Sequence, residues 1–479
     1  MKKKIYQYIF LLSWLFIEST SFISCSLDIP PMDMFSDPDA ISNVTNARSF
    51  LASAYISYPN YQLEFSVLGN DFCPTSITYK DIAKNNLYNW REKEIRELAP
   101  NVWLSYYHVI SLCDALEERL PMVKVEKESE KDDLENIRHE EKVLKAMSYL
   151  QLLKLFAPAY DTNPQAPGIV LKNYLGIENK QRASMSECAV YIEHLLIDAI
   201  STPYQAKSKA WLSKDAATYL LADLYLYMGQ YDKAAKYAQK LLDKMPIFTS
   251  SYKQTYNALW TEVNASERIF AFYINAPVYA QIESDKTEGD FFALNPTLVY
   301  NPDDERFDAA IYPFTINQHT QLLLGKYNKV EKDGKLSPYL NVMRRSGIVF
   351  IAAEAYARLN QKDKALALLN DYRKLTGNKT LSNQLSNDVL IDSVLADKYK
   401  EFAGEGTNFF DLKRTHRQPL YRLSVGGKSV SFTISVNDYR WTWPIPKSEY
   451  RFNEQVSQNK GWYMAVSYTH LTLPTTERV

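Results

Sequence analysis

Apolar and polar positions alternate with a helical period over much of the chain, most plainly in residues 217–246, ATYLLADLYLYMGQYDKAAKYAQKLLDKMP. The pattern predicts two amphipathic helices joined at Gly229-Gln230, with Ala222, Tyr225, Gly229, Tyr231, Ala234, Ala238 and Pro246 at tetratricopeptide spacing. Small Ala side chains at the crossing points let two short helices approach closely, and Tyr packs beside them. The same register recurs at Ala353, Tyr356, Asn360 and Ala365. A shorter form, Ala-x-x-Tyr, appears at Ala52/Tyr55 and Ala146/Tyr149; around the latter, Val143, Ala146, Leu150, Leu153 and Ala157 form one apolar face. Four such stripes predict a mainly α fold of four tetratricopeptide-like helix pairs stacked as a solenoid-like scaffold, against the plainer alternative of an ordinary helical core.

Four long segments lack that period: 63–90, 159–183, 248–341 and 414–461. Irregular stretches of such length are uncommon unless they carry function, so they are expected to cover the helices as a loop-rich lobe. A few short strands belong to it, such as 267–273 and 429–436. The charged run 126–141 reads as a solvated turn and helix start.

At the N-terminus Lys2, Lys3 and Lys4 precede an apolar stretch, Ile9 to Ile17, too short to span a bilayer, which predicts an export signal over residues 1–24. It runs into Phe22-Ile23-Ser24-Cys25, which resembles a lipobox and marks Cys25 as a lipid anchor, although Phe22 replaces the usual Leu. Residues 25–40, rich in Pro and Asp, read as a tether, and 41–463 as a single domain. The tail 464–479 reads as sequence foreign to the natural protein.

Composition narrows the functions. With 55 basic and 56 acidic residues the net charge is −1, so no global field draws the chain to nucleic acid. Cys73, Cys113 and Cys188 form no C-x-x-C pair, and Cys113 reads as a small buried hydrophobe. No H-E-x-x-H, G-x-S-x-G or Walker loop is present, and no metal site is expected. Of six histidines, His470 lies in the tail and His108, at helical spacing from Leu104 and Leu112, reads as a packed residue. Carboxylates such as Asp303, Asp304 and Glu305 leave a hydrolase open, because a glycosidase needs only two of them about 5 to 10 Å apart.

Several stretches resemble the SusD/RagB family of bacterial outer-membrane proteins, in order along nearly the whole chain. They include Trp103-Leu-Ser-Tyr-Tyr with Cys113-Asp-Ala-Leu-Glu, and Glu141-Lys-Val-Leu-Lys-Ala-Met-Ser-Tyr with Lys154-Leu-Phe-Ala-Pro. The strongest are Lys400-Glu-Phe-Ala-Gly-Glu-Gly-Thr-Asn-Phe-Phe-Asp-Leu-Lys-Arg414 and Trp443-Pro-Ile-Pro-Lys-Ser-Glu449 with Gln458-Asn-Lys-Gly461. These read as structural clamps: Phe409 and Phe410 entering the core, and Asp411 paired with Arg414 one turn on. Asp304-Glu-Arg-Phe307 looks like a structural segment of the family.

The resemblance implies a non-catalytic, lipid-anchored cell-surface protein that captures glycan or peptide fragments, needs no cofactor, and closes as a lid over a SusC-like TonB-dependent transporter; some such binding proteins use calcium. Ligand contacts in the family come mainly from the insertions, where aromatic rings suit sugar faces and amides or carboxylates suit hydroxyls. The candidates are Trp90, Tyr79, Asp71, Tyr279 and Phe292, with Asn70, Tyr88, Trp260, Phe291 and Asn295 beside them in sequence. A periplasmic tetratricopeptide-type adaptor and a lipid-anchored glycoside hydrolase are the rival readings.

Overall fold

In the computed structural model the described residues are 41–462, apart from 77, 79–80, 173–178, 203, 205, 246–250, 263, 275–291, 317 and 328–338. The export signal, Cys25, the tether, Tyr79, Tyr279, Pro246 and the tail lie outside them.

The helical stripes fold as four antiparallel pairs. α1 (Val44–Ile56) packs on α4 (Glu92–Arg119), α5 (Ser129–Phe156) on α6 (Met185–Ser201), α7 (Lys214–Tyr227) on α8 (Tyr231–Lys244), and α11 (Arg345–Arg358) on α12 (Lys362–Leu375). Each pair also packs on the next, α4 on α5, α6 on α7 and α8 on α11, and α13 (Asn387–Glu401) covers the end of the row. Side-chain caps fix several starts: Ser213 accepts from the Ala216 amide, and Ser184 with Glu187 forms a reciprocal capping box. The matched turns of the third and fourth pairs place Gly229 and Asn360 at φ +71° and +59°, the left-handed conformation that Gly and Asn tolerate best.

The repeated Tyr has a second use beyond packing. Tyr55 donates to Glu140 at 2.7 Å, Tyr225 to Glu193 at 2.5 Å and Tyr356 to Gln239 at 3.2 Å, each reaching into a neighbouring pair, while the Tyr149 oxygen accepts from the Lys172 amide at 3.1 Å. The ring fills the gap between helices and the hydroxyl closes a hydrogen bond across it. Ala222, Ala234, Ala238, Ala353 and Ala365 are all buried at the crossings, as are Val143, Ala146, Leu150, Leu153 and Ala157.

Two expectations need correction. The charged run 126–141 is a solvated turn and helix start over 126–133 but ends inside the core: α5 is covered by helices on several sides, so Glu140 is buried against Arg48, Tyr55 and Tyr204, and Glu141 is buried with its carboxyl raised by burial. His108 is exposed, because the buried stripe of α4 runs through Val102, Tyr106, Val109 and Cys113 rather than through Leu104. Cys113 is the buried small hydrophobe expected.

The insertions hold more regular structure than their period shows. Short helices occur at α2 (Gln62–Leu68), α3 (Ile82–Tyr88), α9 (Tyr252–Thr261) and α10 (Phe307–Ala310), all shorter than the window in which a 3.6-residue period is legible. The strands form antiparallel pairs: β1 (Phe72–Pro74) with β3 (Phe292–Leu294), β2 (Arg268–Tyr273) with β6 (Tyr339–Arg344), β4 (Ile311–Ile316) with β5 (His319–Leu324), and β7 (Leu420–Leu423) with β8 (Val430–Ile434). β2 and β8 fall within the two strands expected from sequence.

The junction of lobe and scaffold is ionic. Arg344 from β6 donates to Glu401 at 2.6 Å and to Glu405 at 2.8 Å; Arg306 donates to Glu401 and Asp304, both at 2.8 Å; Lys326 reaches Glu405 at 2.8 Å and Lys400 reaches Asp304 at 2.8 Å. Burial alone would raise the Glu401 carboxyl, but Arg344, Arg306 and Lys326 outweigh it and hold it at about 2. Asp304 is likewise held below the ordinary carboxylate range against its burial, by Arg306 and Lys400.

Beyond it, α14 (Asn408–Thr415) buries Phe409 and half-buries Phe410, and Arg414 pairs with Asp411 at 2.7 Å. Lys413 donates to the carbonyls of Lys154, Leu155 and Ala157 at the end of α5. Arg182 and Asn459 both donate to Phe156 O, and the Trp443 amide donates to Leu155 O. These segments gather the unpaired carbonyls of one long helix, with cations at its negative end.

Candidate functional site

Three of the candidate contacts are core residues. Trp90 is fully buried, its indole Nε1 donating to Leu68 O at 3.2 Å and its ring set edge-on to Trp441 with centroids 4.5 Å apart. Asp71 is equally buried; one oxygen accepts from the Gly404 amide at 2.9 Å, and burial pushes its carboxyl up to about 7. Phe292 packs between Phe72 and Tyr88, with ring centroids 6.1 Å from each. Tyr88 and Trp260 are buried as well. Placement in an irregular segment therefore does not imply exposure: these side chains fasten the insertions to the scaffold, and their surfaces are used up there.

Tyr79 and Tyr279 lie outside the described residues, but the connectivity around them is defined. In the β1–β3 ladder Pro74 faces Phe292 and Phe72 faces Leu294. The chain leaving β1, which carries Tyr79, and the chain entering β3, which carries Tyr279, are therefore attached to the same end of one ladder. Cys73, Ala293 and Leu323 pack together beside Leu423, so parts of the first, third and fourth insertions meet at a single small core.

Next to that core a groove of about 590 Å3 opens between the insertions and the last helices. Asn70 comes from the first insertion; Asn295, Thr297, Val299 and Asn301 from the third; and Gln418 and Tyr421 from the fourth. Arg373, Asn378, Asp392, Asp397 and Lys400 form the scaffold side. Of the candidate contacts named from the sequence, Asn295 and Asn70 are the described ones that line this groove. Tyr421 was not singled out; its exposure follows from the alternation in β7, where Leu420 and Arg422 face in and Tyr421 faces out, 49% exposed. Val299 is 64% exposed.

The polar groups of the lining are organised. Asn295 Oδ1 accepts from the amide and hydroxyl of Thr297, at 3.0 and 2.7 Å, leaving Nδ2 buried and without a partner. Tyr399 donates to Asn70 O and Asn408 to Gly69 O at 2.6 Å, which fixes the first insertion against the scaffold. Arg373 pairs with Asp397 at 2.7 Å and Arg417 with Asp392 at 2.5 Å. A cavity of this size with apolar platforms and convergent amides suits a polar organic ligand. A second, tighter cleft of about 160 Å3, lined by Tyr58, Tyr61, Tyr106, Tyr219 and Lys413 among others, lies between scaffold and lobe. Among the described residues no group of three or more His, Cys, Asp or Glu is placed to hold a metal ion, and no helix is long and apolar enough to cross a membrane.

Comparison with known proteins agrees with this architecture. The SusD family matches residues 299–462. A SusD superfamily protein from Bacteroides vulgatus superposes with a TM-score of 0.74 at 21% identity, covering 88% of this chain and 100% of that one. A SusD superfamily protein from Bacteroides thetaiotaomicron gives 0.71 at 20% identity, over 87% and 99%. A second Bacteroides vulgatus protein, described as a SusD-like carbohydrate binding protein, gives 0.69 at 20% identity, over 87% and 97%. No curated protein matches. This protein is thus similar to the SusD/RagB family: the family's sequence pattern occupies the C-terminal third, and the fold is shared along nearly the whole described chain.

Proposed function

We propose that this protein captures glycan, or less directly peptide, fragments at the cell surface and passes them to a partner TonB-dependent, SusC-like outer-membrane transporter, without acting on them chemically. The observation that supports it most is the groove, which parts of three insertions build jointly on the scaffold and line with amides, a half-exposed Tyr421 and an exposed Val299. The carbohydrate-binding description of a structural neighbour points the same way. Tyr79 and Tyr279, candidates from the sequence that lie outside the described residues, remain proposed ligand contacts in this reading. Residues 1–24 act as the export signal, acylated Cys25 anchors the mature chain in the outer membrane, 25–40 form the tether, 41–463 form the capture domain, and 464–479 are foreign to the natural chain.

Titration calorimetry of residues 26–463 against polysaccharides, oligosaccharides and peptides tests the proposal. Heat of binding with no release of reducing ends is expected. Release of reducing ends that a carboxylate substitution abolishes would turn the reading to a hydrolase. Anchoring is tested by labelled palmitate, which should enter the full chain and not Cys25→Ser.

A further inference from the structure

We infer that the groove takes an uncharged oligosaccharide, one of its rings stacked on Tyr421, and rejects acidic glycans and charged peptides. The inference rests on the capture reading and narrows its ligand.

The argument is one of charge already spent. Among the described residues three cations line the groove: Arg373, Lys400 and Arg417. Each is committed within the protein: Arg373 to Asp397 at 2.7 Å and to the Lys379 carbonyl at 2.6 Å, Lys400 to Asp304 at 2.8 Å, and Arg417 to Asp392 at 2.5 Å with Asp388 at 3.5 Å. Their side chains are 12–22% exposed, so a carboxylate or sulfate arriving from solvent would have to displace an internal partner, which is buried for Lys400 (Asp304, 0% exposed) and largely buried for Arg373 (Asp397, 15%). Asp388, 83% exposed beside Arg417, is a second carboxylate on that one guanidinium, so the cluster offers an incoming anion no net positive charge. A cationic ligand meets the converse problem, since Asp392 and Asp397 are already paired with guanidinium groups.

Among the described residues, what is left free on the lining is neutral. Asn301 and Gln418 present exposed amides, Asn295 Nδ2 is a buried donor with no partner, and Val299 and Tyr421 offer apolar surface. Amides match hydroxyls, which both donate and accept, and an exposed phenol ring matches the C–H face of a pyranose. A peptide brings charged termini and side chains that this lining has no spare partner for. Discrimination then comes from the repulsive side of the site as much as from its attractive one.

The test is calorimetry of the full chain, as wild type, Tyr421→Ala and Asn295→Ala, with three groups of probes. Maltoheptaose, xylohexaose, mannohexaose and laminarihexaose are neutral; oligogalacturonate and heparin oligosaccharides are acidic; a tryptic casein digest supplies peptides. The expected result is binding of a neutral probe, weakened about tenfold by Tyr421→Ala and less by Asn295→Ala, and changed less than about twofold between low and high salt. Circular dichroism of each variant shows whether it is folded. Binding of an acidic glycan or a peptide that Tyr421→Ala abolishes would overturn the inference while leaving capture standing. Neutral binding that neither substitution alters would overturn it by placing the site elsewhere, and silence with every probe would count against both the inference and the capture reading.

Discussion

Two parts of this molecule are built from the same charged residues and use them differently. At the lobe–scaffold junction, Arg344, Glu401 and Glu405 are 0–3% exposed and every charge answers another. Along the groove, Arg373, Arg417 and Asp392 form pairs with the same chemistry at 20–42% exposure. In the junction, desolvation makes each partner indispensable to the rest; in the groove, water shares the work, so a pair can be lost without unfolding the protein. Burial, not the presence of an ion pair, separates what holds the fold from what shapes the binding surface.

The sharpest way to break that contrast is Glu401→Gln, which leaves Arg306 and Arg344 short of charge inside the core. Loss of about 3–5 kcal/mol in urea unfolding is expected; a loss below about 1 kcal/mol would mean that the junction behaves like a surface pair. The pH profile tests the same point. Glu401, with an ordinary value of 4.5 held down to about 2, stabilises the fold fully above about pH 4.5, and that contribution is lost as pH falls toward 2.

Asp71 has the opposite sign. Its carboxyl is raised from 3.8 to about 7, so the folded state binds the extra proton and stability falls as pH rises between those values, by up to about 1.4 kcal/mol per pH unit. Asp71→Asn should flatten that slope, as read from thermal unfolding at pH 5 and pH 7. Lys413→Ala should cost about 1–3 kcal/mol in urea unfolding, because three carbonyls at the end of α5 each lose a donor, and Leu155 O alone of them keeps another among the described residues, the Trp443 amide. Arg373→Ala, in the groove, should change urea stability by less than about 1 kcal/mol; a larger loss would extend the junction's behaviour to the groove.

The scaffold was legible in the sequence because Ala and Tyr repeat at positions that geometry demands, and the left-handed turns at Gly229 and Asn360 sit at matching places in the register. The C-terminal hallmarks were legible as clamps, although which carbonyls Lys413 would collect depended on where α5 ends in space. The site was legible only in part. Trp90, Asp71 and Phe292 looked available because they lie in irregular segments, yet Trp90 meets Trp441 and Phe409 from the far end of the chain, and no local pattern reports such a meeting. Tyr421 was hidden for the converse reason: a four-residue strand is too short for its alternation to stand out. The repeat hydroxyls of Tyr55 and Tyr225 could be placed at helix contacts, but their acceptors, Glu140 and Glu193, could not.

The carbonyls at the end of α5 also set an order of events during synthesis. Apart from Arg182, the donors that satisfy them are Lys413, the Trp443 amide and Asn459, more than 250 residues downstream. While the ribosome is making the middle of the chain, the end of α5 must rely on water for these contacts. A nascent chain stopped short of Asn459 would therefore expose a frayed helix end and the apolar surface around it, which is what chaperones and proteases recognise. The closing segment thus completes the hydrogen bonding at the end of the second helix pair, and is the last part of the described chain to be made.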